Sequence, residues 1–420
     1  MLFYIKTFGC QMNVSDSDTL SFLLGSRGGK KTENPRKADV LIVNTCSVRE
    51  KAETKALHRI REYGSIKKEG AQLWVVGCMS QRRGESLRIE IPYIDTVIGA
   101  VDMEYIDTKI DTLLGDLSNK HAGVVSAIQQ YSSFVPVMRG CNNYCSYCIV
   151  PYVRGDEHSL PAEDIISTIE EHISRGVREV TLLGQNVNSY SSGSCSFSGL
   201  LEKINALEGI ERIRFTTSHP KDISDDLINA VASLEKITKH IHLPIQSGCD
   251  AVLQKMNRKY SVEEYLEKTD KIRRACPDID ITTDVMVGFP GESEENFLET
   301  LSVFKKIQYT SAFMFAYSPR EGTPAWNYSH PVDEEVKKKR LNTLISLQTD
   351  ITKEIHSRMV GSYVEALLTY KSSRGWIGQD FGAKRVFIDS DKNLLGKTVR
   401  GRVAVSTGMT LVVKNFEIIS

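Results

Sequence analysis

The chain has 420 residues, 41% of them hydrophobic and 25% charged, with 53 basic residues against 53 acidic ones. That length suits two or three domains, and a formal net charge of zero excludes a chain that binds polyanions through bulk charge, though not one with a local basic face. No apolar run approaches about 18 residues, so no membrane span is expected. The opening MLFYIKTFGC reads as a strand rather than a secretory leader, and a cytoplasmic setting is the default. Nine cysteines, an odd number, point to metal or redox chemistry rather than to a disulfide framework in a reducing compartment.

In the N-terminal third, LFYIKTFG, DVLIVNT and LWVVG are short apolar runs of the kind that form buried parallel strands. Helical patterns, SDTLSFLLGS and EKAETKALHRIREYGSIKK, lie between them, so the region reads as a doubly wound parallel sheet. A cysteine follows each strand: Cys10, Cys46 and Cys78, separated by 36 and 32 residues, about one βαβ unit each. Parallel strands bring equivalent ends to one sheet edge, which is also where open α/β sheets bind ligands. Singly, each reads as a buried core cysteine. Together they can hold an iron–sulfur cluster with one iron left open. Gly9 and Gly77 beside them would let backbone approach a bulky ligand.

The central third opens with Cys141-Asn-Asn-Tyr-Cys145-Ser-Tyr-Cys148, three cysteines within eight residues after the strand-like FVPVMRG. Three closely spaced thiolates fit three irons of a cubane cluster. No paired second element follows to complete a zinc site. The spacing resembles the radical S-adenosylmethionine (SAM) motif, in which SAM chelates the fourth iron, and Tyr147 occupies the position whose ring packs near the SAM adenine in that superfamily.

Five further strand-like runs follow: REVTLLGQNV, ERIRFTTSH, HIHLPIQSG, DITTDVMVGFPG and AFMFAYSP. With helical stretches between them, and the strand before Cys141, they make six βα units. The expected architecture is a partial (β/α)6 TIM barrel open at its C-terminal strand ends. Gly184 could let the SAM amino group approach backbone, and Gln246 could touch SAM or its adenine. The bland alternative is that both are loop formers. His219 reads as a loop histidine, Cys195 as incidental, and Cys249 and Cys276 as structural.

In the tail, YVEALLTY, GWIGQD, KRVFIDS, TVRGRVAVS and LVVKNFEII read as five strands of a small OB-like β-barrel. From Gly361 on, nine Lys and Arg stand against five acids. Arg374, Lys384, Arg385, Lys397, Arg400 and Arg402, with Trp376 and Phe387, could bind RNA phosphates and stack bases, or simply form a solvated face. The expected domains are 1–116, 130–357 and 358–420, with a linker around Gly115 to Ser133.

The chain resembles the methylthiotransferase family over nearly its whole length. The resemblance is carried by TFGCQMNVSDS, NTCSVREKAE, GCMSQR, RGCNNYCSYCIVPYVRG, LLGQNVNSY, FTTSHP, HLPIQSG, DVMVGFPGE and FMFAYSPREGTPA. It looks most like the tRNA-modifying branch. The branch that modifies a ribosomal-protein aspartate usually differs around Gln11-Met12-Asn13 and Tyr152. Two departures stand out: Asp156-Glu157-His158-Ser159-Leu160 replaces a run that usually carries an arginine, and Cys249 replaces a common serine.

The resemblance implies two [4Fe–4S] clusters, a SAM-binding one on Cys141, Cys145 and Cys148 and an auxiliary one on Cys10, Cys46 and Cys78. It further implies a TRAM module at the C-terminus, and methylthiolation of carbon 2 of N6-isopentenyladenosine next to the anticodon of tRNA. One SAM would supply the methyl group and a second the 5′-deoxyadenosyl radical, with a flavodoxin-like one-electron donor and a sulfur donor as partners. The alternatives are modification of a ribosomal-protein aspartate and a non-catalytic iron–sulfur or RNA-binding protein.

Overall fold

A computed structural model describes residues 1–48, 50–115 and 131–420. The expected linker falls largely on 116–130 and lies outside the described residues. The chain divides into two compact units. The first takes in the described residues up to 115 together with Met138–Tyr144 and Cys148–His158. The second holds the described residues from 131 to Val137, then Cys145–Tyr147 and Ser159–Ser420.

The first unit is a parallel sheet of order β2-β1-β3-β4-β5, built from β1 (Leu2–Thr7), β2 (Lys30–Lys31), β3 (Val40–Thr45), β4 (Gln72–Gly77) and β5 (Thr96–Gly99). Helices α1 (Gln11–Ser26), α2 (Glu50–Ile66) and α3 (Cys78–Arg83) connect them. Every residue of β3 is buried. Val40, Ile42, Trp74 and Val76 join one apolar cluster, and Leu41, Val43, Leu73 and Val75 another. Both sheet faces are therefore covered, which is why these strands read as continuous apolar runs without alternation. The sheet has five strands where the sequence indicated three. The two additions are the edge strands β2 and β5, too short to carry a periodic signal.

The second unit contains six parallel strands: β6 (Ser132–Pro136), β7 (Glu179–Leu183), β8 (Arg212–Thr216), β9 (His240–His242), β10 (Asp280–Val287) and β11 (Ser311–Ala316). They pair in the orders β8-β7-β6 and β9-β10-β11, with an isolated parallel bridge from Ile213 to Ile237 between the two halves. Several of the intervening helices start on serines whose side chains accept from the first turn, among them Ser224, Ser261 and Ser293. This is the partial (β/α)6 barrel the alternating pattern predicts.

The last five strands, β12 (Tyr363–Ser372), β13 (Gly375–Asp380), β14 (Arg385–Ile388), β15 (Thr398–Ser406) and β16 (Leu411–Ile418), close into a barrel of order β12-β13-β14-β16-β15. Two expected RNA contacts in this module are corrected. Trp376 is 3% exposed in the barrel core, and its indole N–H donates to the Ser390 carbonyl at 3.1 Å. Lys384 is buried, with Nζ 2.5–2.6 Å from both carboxylate oxygens of Asp280 at the start of β10. Both tasks are structural. Arg374, Arg385, Arg400 and Arg402 are exposed.

The Lys384 pair is one part of a polar floor under the six-stranded barrel. Arg214 donates to Glu179 at 2.9 Å and to the carbonyls of Gly382 and Asp380 at 2.5 and 2.7 Å. Above this floor the strands turn apolar and partly open. Phe313 is 55% exposed on β11, in register with Asp284 of β10.

Candidate functional site

In the first unit, β1, β3 and β4 are consecutive neighbours, all parallel. Their C-terminal ends thus lie on one edge, about 4.8 Å apart from strand to strand. Cys10 is the N-cap of α1, Cys46 directly follows β3, and Cys78 opens α3. Cys46 and Cys78 are each 3% exposed, whereas Cys10 is open to solvent. The thiols of Cys10 and Cys46 stand near enough to act by charge on Cys78.

The turns at these strand ends are tight. Gly77 has φ +100°, and a Cβ there would stand 2.6 Å from the Thr45 carbonyl oxygen. A Cβ on Gly9, at φ +129°, would come within 3.0 Å of the Cys46 Cβ. Only glycine fits both constraints. Asn13 ties two of the turns together, donating through Nδ2 to the carbonyls of Phe8 at 2.8 Å and Thr45 at 2.9 Å. The Val48 N–H donates to the Cys46 sulfur at 3.3 Å.

Beside Cys78 stands Arg154, at the end of the short helix α4 (Val150–Arg154) that begins two residues after Cys148. Its Nη2 donates to Asn13 Oδ1 at 2.9 Å and lies 3.4 Å from Asp16 Oδ2, while Arg139 Nη2 donates to Asp16 Oδ1 at 2.8 Å. Burial first, then the charges of Cys10 and Cys46, push the Cys78 thiol up to about 11 against the opposing charge and hydrogen bond of Arg154. Burial works against the Arg154 cation too, but Cys78, Asp16 and Cys10 outweigh it and hold the guanidinium above its ordinary range. The same two arginines line a cavity of about 270 Å³, with Tyr105 and the Glu104–His158 pair on its wall.

Among the described residues, no group of His, Cys, Asp and Glu is spaced to hold a single metal ion. The strand-end trio instead fits a larger group. It offers three soft sulfur donors at one sheet edge, glycine-only approaches, and a buried cation to offset negative charge.

In the second unit, Cys145 accepts from Arg258 Nη1 at 3.3 Å. The next residue, Ser146, is fixed by its N–H to the Met256 carbonyl at 3.0 Å and by Oγ to the Lys255 carbonyl at 2.8 Å. Tyr147 packs edge-on to Phe289, ring centroids 6.5 Å apart. Cys141 and Cys148 belong to the first unit, where the Cys141 N–H donates to the Gly155 carbonyl at 3.2 Å.

Gly184 is buried immediately after β7, and its N–H donates to the Thr216 carbonyl at 3.1 Å. Gln246 is 9% exposed with φ +65°; its N–H donates to the Asp284 carbonyl, and its own carbonyl accepts from the Met286 N–H, both at 2.9 Å. Just past the ends of β7 and β8, four buried polar atoms have no hydrogen-bond partner among the described residues: Gln185 Oε1, Asn186 Oδ1, Ser218 Oγ and His219 Nε2. Buried polar atoms left unpaired at open strand ends fit a polar cofactor such as SAM. Cys249 is buried and accepts from Asn296 Nδ2 at 3.1 Å, and Cys276 is buried on an apolar wall.

The sequence singled out Asn13 only as a mark of the tRNA-modifying branch, and Asp16, Arg139, Arg154 and Arg258 not at all. The available signal was a charged residue closing the apolar run IVPYVR six residues after the last cysteine of the motif.

A family described as the Radical SAM superfamily matches residues 135–304, and one described as Uncharacterized protein family UPF0004 matches residues 2–99. In solved structures, the fold is similar to that of TsrM, a radical SAM methyltransferase from Kitasatospora setae, at TM-score 0.57 and 13% identity over 77% of each chain. It is also similar to that of OxsB, a cobalamin-dependent SAM radical enzyme, at TM-score 0.51 and 11% identity over 83% of this chain and 56% of that one. Fold and cysteine motif together define a radical SAM enzyme.

Among curated relatives, the chain is 42% identical to the tRNA-2-methylthio-N(6)-dimethylallyladenosine synthase of Thermoanaerobacter pseudethanolicus (strain ATCC 33223 / 39E), covering 100% of this chain and 93% of that one. It is 44% identical to the protein of that name from Geotalea uraniireducens (strain Rf4), over 95% of each. The chain belongs to the tRNA-2-methylthio-N(6)-dimethylallyladenosine synthase family.

Proposed function

We propose that this chain is a tRNA methylthiotransferase that places a methylthio group on carbon 2 of N6-isopentenyladenosine beside the anticodon. The observation that carries the reading is the arrangement of Cys10, Cys46 and Cys78 at the ends of three adjacent parallel strands, in a chain that also holds the C-x3-C-x2-C motif. One cysteine triplet suffices for radical generation; a second is what sulfur insertion adds.

In this reading Cys141, Cys145 and Cys148 hold a [4Fe–4S] cluster that leaves an iron for SAM, and Cys10, Cys46 and Cys78 hold a second one. When bound, the clusters and SAM supply the electron, the 5′-deoxyadenosyl radical and the methylthio group.

The chain's own residues bind and orient. Tyr147, held against Phe289, presents a ring beside the SAM-binding loop. Gly184 and Gln246 offer close-set backbone, and Gln185, Asn186, Ser218 and His219 offer the polar atoms to hold SAM. The buried Arg214–Glu179 and Lys384–Asp280 pairs fill the barrel floor and limit water there. Phe313, exposed above that floor, gives an unmodified aromatic face to a purine. A flavodoxin-like electron donor and a separate sulfur donor complete the reaction, which on a tRNA substrate takes place in the cytoplasm.

The test is mass spectrometry of nucleosides after anaerobic incubation with isopentenylated tRNA, SAM and a reductant. A methylthio increment on the isopentenylated adenosine is expected. Unchanged tRNA, with a ribosomal-protein aspartate modified instead, would contradict the reading.

A further inference from the structure

Arg154 is 6% exposed, among the most deeply buried charged residues of the first unit. A buried guanidinium is costly unless its charge and its N–H groups are matched. Asp16, its carboxylate partner, does not complete the match, because Asp16 is shared with Arg139. Two arginines on one carboxylate leave a net positive charge inside the protein. Moreover Arg154 Nη1 and Arg139 Nη1 are both buried without a hydrogen-bond partner among the described residues. The charge and the donors thus point to a missing negative acceptor. Arg154 stands beside Cys78: Val153, the residue before it, packs with Cys78 in one buried cluster, and the groups acting on its charge are Cys78 first, then Asp16 and Cys10.

Three thiolates around an iron–sulfur cubane make a negatively charged group, and its charge and the hydrogen bonds to its sulfurs set its reduction potential. We propose that Arg154 is a positioning residue for the cluster on Cys10, Cys46 and Cys78. Its guanidinium supplies a fixed positive charge and N–H donors at the Cys78 corner, and so raises that cluster's reduction potential. Asn13 and Asp16 hold the guanidinium in place. Asn13 also braces the turns after β1 and β3, so the same side chain sets both the cysteine loops and the cation between them. This inference rests on the second cluster proposed above.

The experiment uses the full chain with Cys141, Cys145 and Cys148 replaced by alanine, so that any cluster signal belongs to the N-terminal trio. After anaerobic reconstitution, iron content is measured and the potential is read by an EPR-monitored redox titration, with Arg154→Gln and Arg154→Lys alongside. A shift to lower potential in Arg154→Gln, with Arg154→Lys nearer to the parent, is the expected result. Failure of Arg154→Gln to load iron while Arg154→Lys loads it also supports a charge role. Equal potentials in all three proteins, or loss of the cluster in both variants, overturns the inference. A parent protein with no cluster at all would instead overturn the second-cluster reading, so the two failures are distinct.

Discussion

Asp16 and Arg154 meet inside the first unit with side chains 0% and 4% exposed, joining the helix after Cys10 to the helix after Cys148. The pair ties the segment that carries the last radical SAM cysteine to the sheet edge that carries the other trio. A buried carboxylate shared by two guanidiniums cannot be removed without leaving charge uncompensated. Asp16→Asn is expected to destabilise the first unit by about 3–5 kcal/mol. Urea unfolding followed by hydrogen exchange at β1, β3 and β4 measures it; an unchanged midpoint would show that the network is not structural.

Cys46→Ala separates the two proposed clusters. Cys46 is buried directly after β3 in the first unit. The variant is expected to release 5′-deoxyadenosine from SAM at near the parent rate while sulfur insertion into tRNA falls below detection. Retained insertion would assign the strand-end trio another task.

Gly77→Ala tests the geometry of the turn rather than a ligand. At φ +100°, with a Cβ only 2.5 Å from Asn44 Oδ1 and 2.6 Å from the Thr45 carbonyl oxygen, alanine must displace the backbone that places Cys78. The expected outcome is reduced iron loading of the N-terminal trio, with the C-x3-C-x2-C motif still loaded. Full loading would mean that the turn yields without moving Cys78.

Four histidines, two buried and two half-buried, set an acid limit on stability. Burial is the largest cause holding His172, His219, His240 and His356 below the ordinary value of 6.5. The unfolded chain therefore takes up protons below pH 6.5 that the folded chain refuses, and stability falls as pH drops through that range. Thermal midpoints at pH 7.5 and 5.5 check this; the lower pH is expected to melt earlier, and an equal or higher midpoint would contradict it.

Much of this was legible in the sequence. The six cysteines proposed to hold clusters stand out by spacing, and three of them by following apolar β-branched runs, which the structure forms as β1, β3 and β4. Alternating βα patterns marked the six barrel strands, and five close-set strands marked the terminal barrel. What stayed hidden has a common physical cause. Arg154, Asp16 and Lys384 are buried, and Arg258 half-buried, by partners far away in the chain, and charged residues read by default as surface. Trp376 was misread for the converse reason: an aromatic beside basic residues resembles a base-stacking platform, but the barrel closes around it. The two-residue strand at Lys30–Lys31 carries no apolar periodicity, and only its pairing with β1 makes it a strand.

The most direct test of a second cluster is the iron and labile sulfide content of the anaerobically prepared full chain, beside a variant lacking Cys10, Cys46 and Cys78. About eight irons are expected in the parent and about four in the variant. About four irons in both would leave the strand-end cysteines without a cluster and contradict the reading.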